Sequence, residues 1–238
     1  MGIALSVVIP AYNEEHRLGP TLERVATYLR ERGITWELIA VDDGSKDGTS
    51  AVIDAASARW PEIVRITAPR NRGKGAAVRE GVRAAVGELI LFSDADLSTP
   101  IEEVEKLEAA LARSPAIGIA IGSRGLAASE IEVRQSRGRE IMGRVFNRIV
   151  RALVVGGIRD TQCGFKLFRR DVAHDLFGRA KVDGFAFDVE VLWLAQGRTE
   201  VAEVPVVWRH VDESKVSPGS DAARMFVDIL RIRRLHRS

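Results

Sequence analysis

A single cysteine, Cys163, is all that the 238 residues hold. It excludes an internal disulfide and fits a reducing cytoplasm. No run of 18 or more apolar residues occurs, so no membrane-spanning helix is expected. The opening stretch, MGIALSVVIP, has neither a basic segment nor a small-residue cleavage site. It reads as a first strand rather than a signal peptide. The pattern GxxxxGK[ST] is missing, which excludes a Walker-type phosphate loop. Internal repeats, low-complexity tracts and linkers are lacking too. The expectation is one domain over 1–238, made of two halves, 1–125 and 126–238.

Net charge is also small, at +2, but it is unevenly spread. From Arg134 to Arg151 six arginines accompany one acid, Glu140; after Asp221 five arginines accompany only Asp228. Such blocks are solvated helix faces, or they serve an anionic partner: membrane lipid, a phosphorylated substrate or nucleic acid. Nucleic acid is disfavoured, because the blocks carry apolar stripes and no aromatic stacking platform. The hydrophobic fraction of 46% is ordinary for a chain with a real core.

What is present is alternation. Strands are expected at Leu5–Ile9, Glu37–Val41, Val64–Thr67, Glu88–Phe92 and Ile117–Gly122. Helices are expected at Pro20–Arg32, Gly48–Trp60, Gly75–Val86 and Pro100–Arg113, the last capped by Ser98 or Thr99. Strands alternating with helices predict an α/β fold with a mostly parallel central sheet flanked by helices. The second half is less regular: helices at Gly138–Val155, within Val182–Gln196 and at Ala222–Leu235, strands at Gly164–Phe168 and Val201–Val211. In parallel sheets ligands gather beyond the carboxyl ends of the strands. The polar clusters PAYNEE, DDGSKDGT and DAD fall there.

The run LILFSDADLSTP ends an apolar segment in Asp94 and Asp96. Residues i and i+2 of an extended segment point the same way, and two converging carboxylates call for a cation. Oxygen ligands suit Mg²⁺ or Mn²⁺, with substrate phosphates completing the shell. A solvated turn is the plainer alternative. In VVIPAYNEE and VDDGSKDGT, Tyr12 can cover a ring, Glu14 can take a ribose hydroxyl and Asp43 a base edge. Ser45 or Asp47 can instead cap the next helix. In PRNRGKGAAVREGV, Arg72, Lys74 and a helix N-terminus offer positive potential to phosphate.

In this order, these segments resemble glycosyltransferase family 2, which implies a GT-A fold and inverting transfer from a sugar nucleotide. IGSR, DTQCGFKLF, FAFDVEVLWLA and ESKV further resemble the branch that glucosylates dolichyl phosphate, the mannosyl branch coming next. The resemblance spans residues 4 to about 235; it implies a nucleotide-sugar-binding half at 1–125, an acceptor-binding half with amphipathic basic helices at 126–238, and roles for single positions. Pro10, Ala11, Tyr12, Glu14, Asp42 and Asp43 match the nucleotide loops. Asp94, Ala95 and Asp96 match the metal and diphosphate motif. Arg124 matches an arginine facing the donor. Asp160 and Lys215 join Asp96 and Arg124 as catalytic candidates. Arg209 and Lys215 match a phosphate-holding basic pair. Lys166 replaces an arginine common in relatives, keeping the charge without the bidentate fork.

The acceptor that the resemblance implies has an independent chemical check. A sugar hydroxyl needs a general base, whereas a phosphate monoester, with a second pKa of about 6, is already dianionic. Such an acceptor needs cations, and Arg124, Arg137, Lys166, Arg209 and Lys215 are available. Asp160, Asp188 and Glu190 are either catalytic or salt-bridge partners of those cations. The expected activity is metal-dependent transfer of glucose from UDP-glucose to a polyprenyl phosphate. The alternatives are GDP-mannose as donor, a hydroxyl acceptor, or a non-enzymatic sugar-nucleotide-binding module. A peripheral position on the cytoplasmic face of a membrane is expected. Two apolar stripes flanked by arginine support it. One is Ile141, Met142, Val145, Phe146, Ile149 and Leu153; the other is Met225, Phe226, Ile229 and Leu230.

Overall fold

The computed structural model describes residues 2–133, 156–209 and 220–236. The expected helix at Gly138–Val155, with its apolar stripe and Arg137, lies outside them, as does Lys215.

Seven strands form the central sheet, in the order β3-β2-β1-β4-β7-β5-β8. They are β1 Leu5–Ala11, β2 Trp36–Asp42, β3 Ile63–Thr67, β4 Leu89–Ser93, β5 Ile117–Ser123, β7 Phe165–Arg169 and β8 Glu200–Pro205. The sheet is mostly parallel; β7 alone runs antiparallel, between β4 and β5. Burial on both faces explains the apolar run Val7–Ala11 of β1. Alternation then assigns side chains to layers. Val8, Ile90, Phe92 and Phe168 face one core. Val7, Ile9, Leu91 and Leu167 face the other.

Helices cover both faces. α1 Leu18–Glu31, α2 Thr49–Arg59 and α4 Val104–Ala112 pack on the Val7 side. α3 Lys74–Ala84, α5 Arg170–Arg179, α6 Phe187–Ala195 and α7 Ser220–Leu235 pack on the Val8 side. α1 presents Leu18, Leu22, Val25 and Leu29 inward at helical spacing. All of the strands and helices expected up to residue 123 are present, with shifted ends.

Several expectations change. Neither Ser98 nor Thr99 caps α4: Pro100 precedes a 3₁₀ turn at Ile101–Glu103, with no side-chain cap. Val201–Val211 is not one strand. It breaks at Val206, and β9 Val207–Arg209 leaves the sheet to pair with β6 Glu130–Val133. β6 and α5 are additional elements. Of the second apolar stripe, Ile229 and Leu230 fall on different faces of α7, with Ile232, outside the stripe, on the side of Ile229 and Val227, also outside it, on that of Leu230. Ile229 and Ile232 are fully buried in the core, while Val227 and Leu230 are 43% and 49% exposed. No described helix is long and apolar enough to cross a membrane.

Candidate active site

The carboxyl ends of β1, β2, β4 and β5 share one edge of the sheet. β7 begins at that edge, because it is antiparallel and its Phe165 lies opposite Ser93. These five loops, together with the one after β3 that carries Arg72 and leads to Lys74, hold the expected site residues that are described, apart from Arg209 on β9.

The first two loops are laced together. The Asn13 amide donates to Ser45 Oγ (2.9 Å), Glu14 to Thr49 Oγ1 (2.7 Å) and Glu15 to Asp47 Oδ2 (3.2 Å). In return Lys46 N–H donates to Asn13 Oδ1 and Gly48 N–H to Glu15 Oε2. Asn13 pays for this with a left-handed φ of 54°. Ser45 therefore serves the neighbouring loop rather than α2. The N-cap of α2 is Gly48, without a side-chain cap bond; Asp47, one residue earlier, accepts the Thr49 amide at 3.0 Å. Pro10 and Ala11 are buried in the end of β1, and Tyr12 is half-buried just beyond. Glu14 is buried and takes Arg17 in a bidentate ion pair.

The acidic pair of the second loop is used locally. Asp42 accepts the Ser45 amide and the Ser50 hydroxyl. Asp43 accepts the amides of Arg72 and Gly73 at 2.9 and 2.8 Å. Its carboxyl is raised above the usual range by burial, which those bonds only partly offset. Asp43 thus fixes the RNRGKG loop. Gly73 adopts a φ of 113°, and a Cβ there would lie 2.5 Å from the Asp183 carbonyl oxygen. The Arg72 side chain is exposed, with Glu80 at 3.6 Å and Asp183 at 3.8 Å.

β4 stops at Ser93, and Asp94–Asp96 lie in a turn, so strand alternation does not orient their carboxylates. Asp96 Oδ1 accepts the Ser98 amide at 2.9 Å, Thr21 Oγ1 donates to the Ala95 carbonyl, and Leu97 takes a φ of 46°. Asp94 turns towards Lys74, whose Nζ lies 2.6 Å from Oδ1. That oxygen is buried and accepts no hydrogen bond, so the contact is a close but poorly directed ion pair. The Asp94 amide donates to the Gly164 carbonyl at 3.0 Å. A Cβ on Gly164 would meet Asp94 Oδ2 at 1.9 Å, so any larger residue there would push the Asp94 carboxylate aside.

Behind this pair sits another. Period-two alternation turns Lys166 of β7 to the α6 side, where its ammonium meets Asp188 Oδ1 at 2.5 Å and the Cys163 carbonyl at 2.6 Å. Both side chains are almost fully buried. Burial raises the Asp188 carboxyl, and Lys166 and Lys74 only partly offset it. Burial would lower the Lys74 ammonium, but Asp94, Asp188 and Asp96 more than reverse this.

Arg124 follows β5 and grips Asp160 through Nε (2.7 Å) and Nη2 (2.9 Å), while its amide donates to the same carboxylate. Burial alone would raise the Asp160 carboxyl, but Arg124 holds it at about 2. Asp94 adds to the field that raises Arg124, so the two clusters are one electrostatic unit. Arg209 ends β9, exposed, and its amide donates to the Ser98 carbonyl at 2.8 Å, beside the Asp96 turn. Glu190 is structural: it accepts the amides of Lys181 and Val182 and pairs with His236.

Two supporting residues carried no signal in the sequence. Trp208 lies under Arg124, its ring centroid 5.5 Å from the guanidinium carbon. Glu203 accepts the amides of Arg159 and Asp160 and steadies that loop. Among the described residues no group of three or more His, Cys, Asp or Glu could hold a metal by itself. Asp94, with its buried unbonded oxygen, and Asp96, with Oδ1 alone engaged, fit an ion whose shell a bound diphosphate completes.

A sequence model described as "Glycosyl transferase family 2" matches residues 6–177. The chain is 41% identical over 241 residues to dolichyl-phosphate beta-glucosyltransferase of Homo sapiens, covering 96% of this chain and 74% of that protein. It is 38% identical over 242 residues to the enzyme of that name from Dictyostelium discoideum, covering 97% and 74%. Among solved structures it resembles glucosyl-3-phosphoglycerate synthase from Mycobacterium tuberculosis in complex with UDP, with a TM-score of 0.71 at 21% identity, covering 100% of this chain and 82% of that one. A complex of that synthase with Mn²⁺, UDP and glucosyl-3-phosphoglycerate gives 0.70, covering 98% and 79%. At such identity the likeness bears on the fold alone, which is GT-A.

Proposed function

Because the chain belongs to glycosyl transferase family 2 and is a glycosyltransferase, we propose that it moves glucose from UDP-glucose to the phosphate of a polyprenyl or dolichyl carrier, with inversion. The observation that carries this is Asp94 Oδ1, a buried carboxylate oxygen with a cation in contact and no hydrogen bond, at the carboxyl end of β4. Relatives named for dolichyl-phosphate glucosylation support glucose over mannose.

In this reading Asp94 and Asp96 hold Mg²⁺ or Mn²⁺, which when bound offsets charge on the leaving diphosphate. The chain's own residues do the remaining work. The laced loops after β1 and β2 carry Tyr12, Glu14 and Asp43 to the nucleotide. Asp43 keeps acceptor capacity for a base edge beyond its two amide partners. Arg72 and Lys74 bring positive charge to the diphosphate. Arg124, held rigid by Asp160 and Trp208, faces the transferred sugar and the incoming phosphate. The acceptor phosphate arrives as a dianion and needs no base. Its oxygen attacks the anomeric carbon from the face opposite the leaving group. The bond from that carbon to the UDP oxygen breaks, and UDP leaves with the electron pair. Arg209 and Lys215 supply cations for the acceptor, Arg209 being tied to the Asp96 turn through Ser98.

A polyprenyl phosphate stays in its bilayer, so the reading includes a peripheral position on a membrane surface. Val227, Leu230, Arg231 and Arg234 support it: they share one exposed face of α7 at i, i+3, i+4 and i+7. Its cytoplasmic side is in keeping with a lone, reduced cysteine. The test is transfer of radiolabelled sugar into lipid extract, with UDP-glucose or GDP-mannose, with polyprenyl phosphate, and with Mn²⁺ or excess EDTA. UDP-glucose should label the lipid and EDTA should stop it. Labelling from GDP-mannose instead moves the protein to mannose, and undiminished labelling in EDTA removes the metal.

A further inference from the structure

Lys74 opens α3 directly after Gly73 and reaches back across the sheet edge to β4. Its ammonium lies 2.6 Å from Asp94 Oδ1 and 5.3 Å from the centre of the Phe92 ring. Asp188 and Asp96 face it as well. The side chain remains 24% exposed, so its tip can leave along a solvent path. By contrast, Lys166 and Asp188 are sealed, at 2% and 6%. The oxygen that Lys74 touches is the buried one that accepts no hydrogen bond. The Asp94 side chain is 30% exposed, but this oxygen is shut off from water, and leaving it without a cation is costly, so a cation is favoured there whether or not the donor is bound. A divalent ion and an ammonium on one buried oxygen repel each other, and so they alternate.

We infer that Lys74 is an exchangeable counter-ion, held by Asp94 before the donor binds and released to the donor's diphosphate when a divalent ion takes Asp94. The inference rests on the metal–diphosphate reading above and adds a thermodynamic link between the two ligands. A metal ion binding alone must expel Lys74 and leave it beside a doubly charged neighbour. A diphosphate binding alone must draw Lys74 from Asp94. Together, each ligand supplies what the other displaces, and by linkage each raises the other's affinity by the same factor. Lys74 is thereby a positioning residue that makes a bare metal ion a poor ligand and the diphosphate, once the metal is bound, a better one.

Calorimetry on the full chain tests this with Mn²⁺ alone, UDP alone, and Mn²⁺ at saturating UDP. In the wild type, UDP should raise Mn²⁺ affinity by roughly tenfold or more. Lys74→Met should bind Mn²⁺ alone about fivefold tighter and UDP alone more weakly, with the coupling reduced to a few-fold. Lys74→Arg should retain the wild-type coupling. Arg72→Met, which removes a nearby charge that does not touch Asp94, should leave affinity for Mn²⁺ alone unchanged. If thermal melting shows that Lys74→Met does not fold, Lys74→Gln carries the same expectation. Wild-type coupling retained in Lys74→Met, or equal tightening in Arg72→Met, overturns the inference and leaves the metal–diphosphate reading standing. A wild type that takes up no Mn²⁺ even with UDP overturns both.

Discussion

Replacing Asp160 by asparagine keeps the shape of the side chain and removes its charge. Arg124 would then keep its guanidinium against a neutral amide, in a site where Asp160 is 2% exposed. The magnitude follows from the carboxyl, which Arg124 holds at about 2 against an ordinary value of 3.8. That difference corresponds to roughly 2 kcal/mol of stabilisation by the charged form. Lost bond geometry brings the total cost at pH 7 to about 3 kcal/mol, in line with breaking one side of a buried pair. The sign is fixed by the direction of the shift. A carboxyl depressed in the folded state contributes fully above pH 3.8, and the contribution fades as pH falls towards 2. Urea unfolding midpoints of wild type and Asp160→Asn, measured from pH 7 down to pH 2, provide the assay. The stability gap should be widest at neutral pH and narrow by roughly 2 kcal/mol across the acid window. Parallel curves would refute the electrostatic account. Arg124→Leu with Asp160→Asn should recover much of the stability, because no unpaired charge remains, yet should not restore sugar transfer.

Two other substitutions probe different links. Gly164→Ala places a methyl 1.9 Å from Asp94 Oδ2; transfer should fall at least about a hundredfold, on the scale that an ångström-sized misplacement costs. Near-normal transfer by a folded Gly164→Ala would show that the Asp94 carboxylate need not stay where it is. On α7, Val227→Ser with Leu230→Ser should leave the melting temperature nearly unchanged, since both side chains are about half exposed, but should reduce flotation with anionic vesicles. Undiminished flotation would assign membrane contact to other segments.

The sequence reports best on features that repeat locally. Period two in β1 and β4 places Val7 and Val8 on opposite faces, and period 3.6 places Leu22, Val25 and Leu29 of α1 inward. α5 carries the same signal in Ala173, Leu176 and Phe177, but flanking charge at Arg169, Arg170 and Asp171 conceals it. β6 has four residues and owes its existence to a distant partner, β9. The site divides in the same way. The residue types of DAD and GKG are legible as chemistry. The turn at Asp94 depends on Leu97 adopting a left-handed conformation that leucine does not announce. Lys166 can be assigned to a face by counting along β7, whereas its partner Asp188 stands 22 residues away on another element. Asp43 looks like a ligand contact and proves also to be the clasp of a loop 29 residues on.

The antiparallel strand in the middle of the sheet has a consequence for the order in which the chain can assemble. β4 and β5 follow one another in sequence, yet β7 lies between them. While a nascent chain is shorter than about 169 residues, β4 keeps an unpaired edge, and β5 lacks both of its sheet neighbours. Closing the sheet requires contacts across long sequence separations, the kind that slow folding and leave strand edges open to aggregation. The strand that fills the gap between β4 and β5 also brings Lys166, and the loop leading into it brings Asp160 and Gly164. The gap inside the sheet and the Arg124–Asp160 and Asp94–Gly164 contacts therefore close together, with Asp188 and β8 still to follow, and a chain arrested before β7 has neither.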